Sequence, residues 1–432
     1  MKKLSIQCSY LCSSFLLLFI LTLSNASWAQ ENQNNQKFQT FKGVVKNADD
    51  KSPVIFATVY IDGTTIGTVT NSDGDFLLKV PIAHMLGKIG ISSLGYKTLF
   101  VPISKLTEEK NILELTPAVI PLNEVVIRHL NALDLIRNAL SRIPDNYPHN
   151  PMMLTTFYRE SIKKNHSFVS VGEAVLNVYK SSYTNILDND RTTIFKGRKS
   201  QAVKNMDTLL VKLQGGPLML SYLDLVKYPG QVLSPDMFMD YHYRVGGIVF
   251  LDGRETYEIN FTQSDTSHYA FYNGSIYLDA KSLAFVSFQF EVAKNKLDDV
   301  LPYFIKKKPA GLKAELLSAN YYIKYRKIGS MWYLNYVRAE SEFKFKWKKK
   351  WFASNYTIVS EAAVTDIDRN NVVKPKFSER IKSRDFFTDK VSAFEDPAFW
   401  GANNIIEPEA SIESAIKKIS RKLKRWRRSE NN

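Results

Sequence analysis

The segment from Asp62 to Val80, DGTTIGTVTNSDGDFLLKV, constrains the fold more than any other stretch. Two short apolar runs, TIGTV and DFLLKV, flank Asn71-Ser72-Asp73-Gly74-Asp75, a cluster of turn formers that predicts a tight reversal. Gly74 falls where such a hairpin needs positive φ, and the Asn71 and Asp73 side chains can cap the turn. Carboxylates at 73 and 75 alternating with the amide at 71 also outline half of a calcium loop. The distal glutamate of such a loop is missing, so a structural turn is the better reading.

Comparable runs surround this hairpin: FQTFKGVVKN, VIFATVYIDG, KIGISSLGY, KTLFVPI, NILELTP and NEVVIR. Turn clusters separate them every 8 to 12 residues or about that, the spacing of a β-sandwich. Gly43-Val44-Val45 opens the first strand, and Pro53-Val54 precedes Ala57-Thr58-Val59 and Asp62-Gly63-Thr64. Thr70 to Phe76 and then Ser93-Leu94-Gly95-Tyr96 follow in order. With these landmarks, residues 38–128 resemble the carboxypeptidase regulatory-like domain, an Ig-like or transthyretin-like sandwich of exported Bacteroidota-type envelope proteins. The module is similar to one at the N-terminus of many TonB-dependent transporters and beside some metallocarboxypeptidases. Neither parent function carries over. The chain after Arg128 is too short for a plug and a 22-strand barrel of the outer-membrane type, at about 10 residues per strand with loops. The six histidines include no HxxE or HxH pairing for zinc.

The first residues read as an address. Lys2 and Lys3 precede an apolar run from Leu11 to Leu23, and Ser27-Trp28-Ala29 supplies small residues for cleavage, which predicts a signal peptide over 1–29 and a mature start at Gln30. The alternative is a retained anchor. Cys8 and Cys12 lie in or before the apolar run, so neither is placed for lipidation, and the mature chain has no cysteine for a disulfide, a thiolate zinc site or a nucleophile. No later stretch is long and apolar enough to predict a transmembrane helix after signal cleavage. Of the net charge of +15, the leader holds two and residues 411–432 six. Export disfavours nucleic acid as partner. The expected partners are an envelope protein or an acidic envelope surface (phospholipid, lipopolysaccharide or glycan), at the periplasm or outer membrane.

Beyond the sandwich, Leu133, Ile136, Leu140 and Ile143 recur at helical spacing behind the capping residue Asn131, and Pro144, Pro148 and Pro151 end the pattern. This predicts a helical joint over 129–150. From Met152 the chain alternates apolar and polar residues in long runs with hairpin-sized connectors at Leu251-Asp252-Gly253-Arg254, Asp279-Ala280-Lys281-Ser282 and Lys327-Ile328-Gly329-Ser330. The expectation is a large curved antiparallel sheet over 151–405, with a short helix near 217–228. The fold class is therefore mainly β, a sandwich followed by the large sheet, with few helices. Gly274 to Asp279 followed by Ala284-Phe285-Val286 resembles a repeat of half-barrel lipoprotein carriers.

Catalytic patterns are missing: there is no GxSxG, P-loop, GxGxxG or HExxH. No catalytic, cofactor-binding or metal residue is predicted, and no cofactor. Asp366 and Asp368 read as a turn, and His242 as a lone histidine opposite Tyr241 and Tyr243. In FKFKWKKKW, from Phe343 to Trp351, aromatic residues alternate with Lys344, Lys346 and Lys348. Phe285, Phe288, Trp332, Phe343, Phe345 and Trp347 are the candidate ligand wall. The structural alternative is a half-buried edge strand guarded by lysines. Over 406–432, Ile412, Ala415, Ile416, Ile419, Leu423 and Trp426 share one helical face. Lys417, Lys418, Arg421, Lys422, Lys424, Arg425, Trp426, Arg427 and Arg428 are the candidate membrane-surface contacts, unless the helix docks on its own domain. The chain reads as a non-catalytic envelope binding or scaffold protein at the periplasmic face of the outer membrane. A lipid or glycolipid carrier, and a hydrolase with a scattered carboxylate pair, are the alternatives.

Overall fold

The computed structural model describes residues 37–118, 130–165, 167–185, 187–201, 216–264, 267–305, 310–393, 399–409, 412 and 414. The predicted leader, the run NEVVIR and the basic residues 417–428 lie outside the described residues.

The first module is a sandwich of two small sheets. β1 (Phe38–Asn47) pairs antiparallel with β4 (Asp75–Pro81) and parallel with β7 (Lys110–Leu115). Facing them, β2 (Thr58–Ile61), β3 (Gly67–Val69), β5 (Lys88–Ser92) and β6 (Leu99–Pro102) run in the order β3-β2-β5-β6. Phe41, Val45, Val59, Phe76, Leu78, Ile89 and Ile91 fill the space between. The turn read first in the sequence forms, but it closes no hairpin: β3 and β4 belong to different sheets, so Asn71 to Asp75 carries the chain from one layer of the sandwich to the other. Gly74 has φ of 77°, and the Asn71 side-chain oxygen accepts from the Asp73 and Asp75 amides at 2.9 Å each. Asp75 pairs with Lys110 at 2.6 Å. The turn's geometry is thus accounted for by caps and an ion pair.

The second module is one large sheet. Its strands are β8 (Met152–Lys164), β9 (Ser167–Lys180), β10 (Arg191–Gln201), β11 (Tyr241–Leu251), β12 (Arg254–Gln263), β13 (Tyr272–Asp279), β14 (Phe285–Val292), β15 (Leu312–Ile328), β16 (Met331–Trp347), β17 (Ser354–Asp368) and β18 (Ser392–Ala393). They lie in the order β11-β12-β13-β14-β15-β16-β17-β8-β9-β10-β18, antiparallel throughout except for β10 and β18. The predicted mainly-β class holds, and the connectors turn as read. Asp252 and Gly253 both have positive φ, 51° and 69°, as a two-residue hairpin requires. Asp279 ends its strand because its carboxylate takes Arg254 and the Ser282 amide and hydroxyl. Register shifts in β10, β11, β15, β16 and β17 supply the local bends that let so long a sheet curl.

Alternation sorts each strand's residues onto two faces. On one face Val245, Ile259, Ile276, Phe288, Ile323, Val337, Ala362, Tyr158 and Ala174 stand opposite one another across nine neighbouring strands. Helix α1 (Ala132–Ser141), capped by Asn131 onto the Leu133 and Asp134 amides, and the short α2 (Ile143–Asn146) pack into this core. Helix α3 (Gly216–Ser221) contributes Leu218 and Leu220. The predicted joint is therefore part of the sheet's core, where the fully buried Tyr147 donates to the Phe285 carbonyl at 2.6 Å. The other face receives the sandwich.

Two local expectations are corrected. Asp366 and Asp368 belong to β17; the turn begins after them, with Asp368 capping the Asn370 and Asn371 amides. The strand carrying Phe343 and Phe345 is not an edge. It pairs with β15 on one side and β17 on the other, because the chain returns on both flanks.

Candidate functional site

The six candidate wall residues share no single surface. Phe285, Phe288 and Trp332 are fully buried in the main core, with Phe285 stacked on Phe288 at 5.4 Å. Phe343 and Phe345 are buried in a second core at the far end of β15, β16 and β17, with Trp347 at its margin. Helix α4 (Leu297–Phe304) closes that end through Val300, Leu297 and Leu301. Alternation turns Phe343 and Phe345 inward, whereas Phe285 and Phe288, three residues apart, share one core because the register of β14 shifts between them. Lys344, Lys346 and Lys348 stay exposed. His242 is exposed on β11 beside the buried Tyr241.

The interface between the modules holds what sequence reading missed. Arg338, Glu361, Arg159, Glu173 and Arg198 lie in register on β16, β17, β8, β9 and β10, alternating in sign across five adjacent strands. Arg159 reaches Glu361 at 3.3 Å and Glu173 at 2.8 Å, Arg198 reaches Glu173 at 2.8 Å, and Arg338 reaches Glu361 at 3.4 Å. Tyr336 donates to Glu361 at 2.7 Å. Burial alone would raise the Glu173 carboxyl, but the Arg159 and Arg198 guanidiniums outweigh it and hold it below the usual carboxylate range. Burial likewise opposes charge on Arg159, and Glu173 and Glu361 overcome it.

Residues 399–409 cover this row. Ile406 accepts from Arg159 at 2.7 Å, and Trp400 stacks under the Arg198 guanidinium at 4.5 Å. The same segment grips the sandwich. Ile405 bridges to Leu77, its carbonyl accepts from Thr68, and Asn404 accepts from the Lys79 amide. Residues 406–409 are thus non-helical, and the helix predicted from 406 begins beyond them, since Ile412 and Ser414 are helical. Pro408 and this strand-like bridging explain the shift. The sandwich adds direct contacts: Phe56 under Arg338 at 5.0 Å, Thr58 to Asn335 at 2.8 Å, and Arg326 to the Thr64 carbonyl at 2.9 Å. Burial pushes the Lys324 ammonium, bonded to the Ser92 carbonyl, down to about 8.

Two further buried polar groups lie on the helix-covered side. Lys180 is held between Asp190 at 2.7 Å and Asp224 at 2.5 Å, and Asp224 also accepts from Tyr183 and Tyr325. Glu160 is different. It accepts from Tyr158 at 2.8 Å, and burial raises its carboxyl to about 7. The hydrolase alternative calls for two facing carboxylates in a cleft. Glu160 is instead 4% exposed, with the Tyr158 hydroxyl as its hydrogen-bond partner. A shallow depression of about 410 Å³ on the sandwich is lined by Val44, Lys46, Asp73, Asp75, Lys110 and Ile112. Its mixed charges are already partly paired. Among the described residues no cluster of three potential metal ligands occurs, and no helix is long and apolar enough to cross a membrane.

Sandwich, sheet and ionic seam define a two-module, mainly-β protein with a row of paired charges in the sheet beneath residues 399–409 and Phe56 of the sandwich. Residues 41–127 match the family model of the CarboxypepD_reg-like domain, so the chain carries that domain at its N-terminal side. No curated protein matches the chain. Among solved structures, a domain described as outer membrane lipoprotein-sorting, from Vibrio parahaemolyticus, aligns at 10% identity and a TM-score of 0.26, over 56% of this chain and 95% of that one. A DUF1329 family protein from Desulfovibrio piger aligns at 9% identity and 0.25, over 56% and 95%. A membrane-associated protein of unknown function from Bacteroides fragilis aligns at 9% and 0.15, over 77% and 98%.

Proposed function

We propose that this chain is a non-catalytic envelope binding or scaffold protein, in which the CarboxypepD_reg-like sandwich and the large sheet form one platform. The observation that carries the reading is the ionic row beneath residues 399–409. Five buried or half-buried charges are turned inward onto one another, beneath residues 399–409 and Phe56 of the sandwich. A carboxylate pair used in hydrolysis would need access to water and substrate. Binding must then use outer surfaces, and an exported chain with this basic balance suits an envelope protein or an acidic envelope surface.

Native mass spectrometry of the mature protein, isolated gently from its own envelope fraction, tests the proposal. The expected result is the bare chain or the chain with a second protein. A lipid or glycolipid that stays bound through purification would overturn it in favour of the carrier.

A further inference from the structure

The end of the sheet remote from the sandwich has an outer surface that its own fold does not explain. β16 and β17 are joined by residues 348–353, and at that apex Trp351 is 91% exposed and Phe352 86% exposed. Two adjacent bare aromatic rings at a hairpin tip are costly in water, and the second core gives them no shelter. Lys348, Lys349 and Lys350 stand exposed immediately before them. Behind the tip, Lys313 on β15 is the direct cross-strand partner of Lys346 on β16. Like charges in that position destabilise a sheet. Glu315 relieves only the next pair, touching Lys344 at 3.9 Å. Phe343 and Phe345 alternate with these lysines and point into the second core, so the outer surface of the strand end is left basic. From Arg338, under the sandwich, to Lys348 is roughly 30 Å along the strand, at about 3.3 Å per residue. The tip therefore reaches a surface without the sandwich touching it.

We propose that the hairpin tip over 348–353 is an interfacial anchor: Trp351 and Phe352 enter the headgroup layer of an anionic bilayer while Lys346, Lys348 and Lys349 meet its phosphates. Paired aromatic rings suit the boundary between headgroups and acyl chains. An anionic surface also supplies the counter-charge that the facing lysines lack. The anchor rests on the envelope-binding reading above and names its partner surface.

The test is co-sedimentation of the mature full-length chain with vesicles of equal parts phosphatidylcholine and phosphatidylglycerol, against phosphatidylcholine alone. Binding is expected only to the anionic vesicles, and to weaken with salt. W351S/F352S should abolish most of it. K348E and K349E should each lower partitioning by about fivefold or more, the effect of one basic residue at an anionic surface. All four positions lie in an exposed connector, and an unchanged far-ultraviolet circular dichroism spectrum checks the fold. Charge reversal at Lys417, Lys418 and Arg421 is the control. Loss with those variants but not with the tip variants overturns the anchor, as does wild-type chain that ignores anionic vesicles. Retention of a partner protein in native mass spectrometry alongside absent vesicle binding would sink the anchor alone and leave the platform standing.

Discussion

Glu160 sits among uncharged groups beneath the helix-covered face, and its carboxyl titrates near 7 because burial disfavours the anion. The linkage has a definite sign. In the unfolded chain the group ionises near the ordinary glutamate value of 4.5, while the folded chain keeps its proton up to about 7. Between those values the folded state binds more protons, so stability falls as pH rises from 4.5 to 7 and stays lower above. Glu160→Gln keeps the Tyr158 hydrogen bond and removes the charge. It should add about 3 kcal/mol at pH 8 and little at pH 4, read from urea melts at the two pH values. Equal effects at both would refute the buried acid. At this scale the sequence showed which side chains point inward and little of their chemistry. The alternation in MLTTFYRESI placed Tyr158 and Glu160 on one face, but nothing local revealed that Gly216 and Phe387, distant in sequence, would pack beside Gly172 and the glutamate.

Among elements, the row from Arg338 to Arg198 is the feature most sensitive to substitution. Arg159→Met leaves Glu173 and Glu361 buried without their shared cation and should cost about 3–5 kcal/mol. Glu173, now held low by its arginines, contributes stability that is present above the ordinary carboxylate range and is lost as pH falls through its depressed value. The variant should therefore unfold at a higher pH than the parent on acid titration followed by tryptophan fluorescence. Four of these strands lay in runs that the sequence marked as β, β10 did not, and each of the five carries one member of the row. Read one strand at a time, such a residue is a solvated polar face. Only the strand order, in which β17 meets β8, sets the five side by side, and only the sandwich above them makes them interior. The turn at Gly74 was legible for the opposite reason: its caps and its glycine all lie within five residues of one another, whereas the pairing of its two flanking strands into different sheets was not local and was missed.

For the whole molecule, Val69 and Leu77 of the sandwich share a core with Phe157, Val175, Tyr336 and Ala363 of the sheet, filled by Trp400, Ile405 and Ile406. Calorimetry of the chain from Gln30 onward should show a single unfolding transition. Trp400→Ala should cost about 3–5 kcal/mol and separate the sandwich's melting from the sheet's. Two transitions in the parent chain would contradict the shared core. The strand order also dictates a timetable for assembly. β8 and β9 leave the ribosome early, yet the strand that pairs with β8's free edge is residues 354–368, some two hundred positions later. Until then a thirteen-residue strand with a strongly apolar face presents an unpaired backbone. Closure of that long loop sets the pace of folding, and any chain released before residue 354 carries an open edge able to template aggregation.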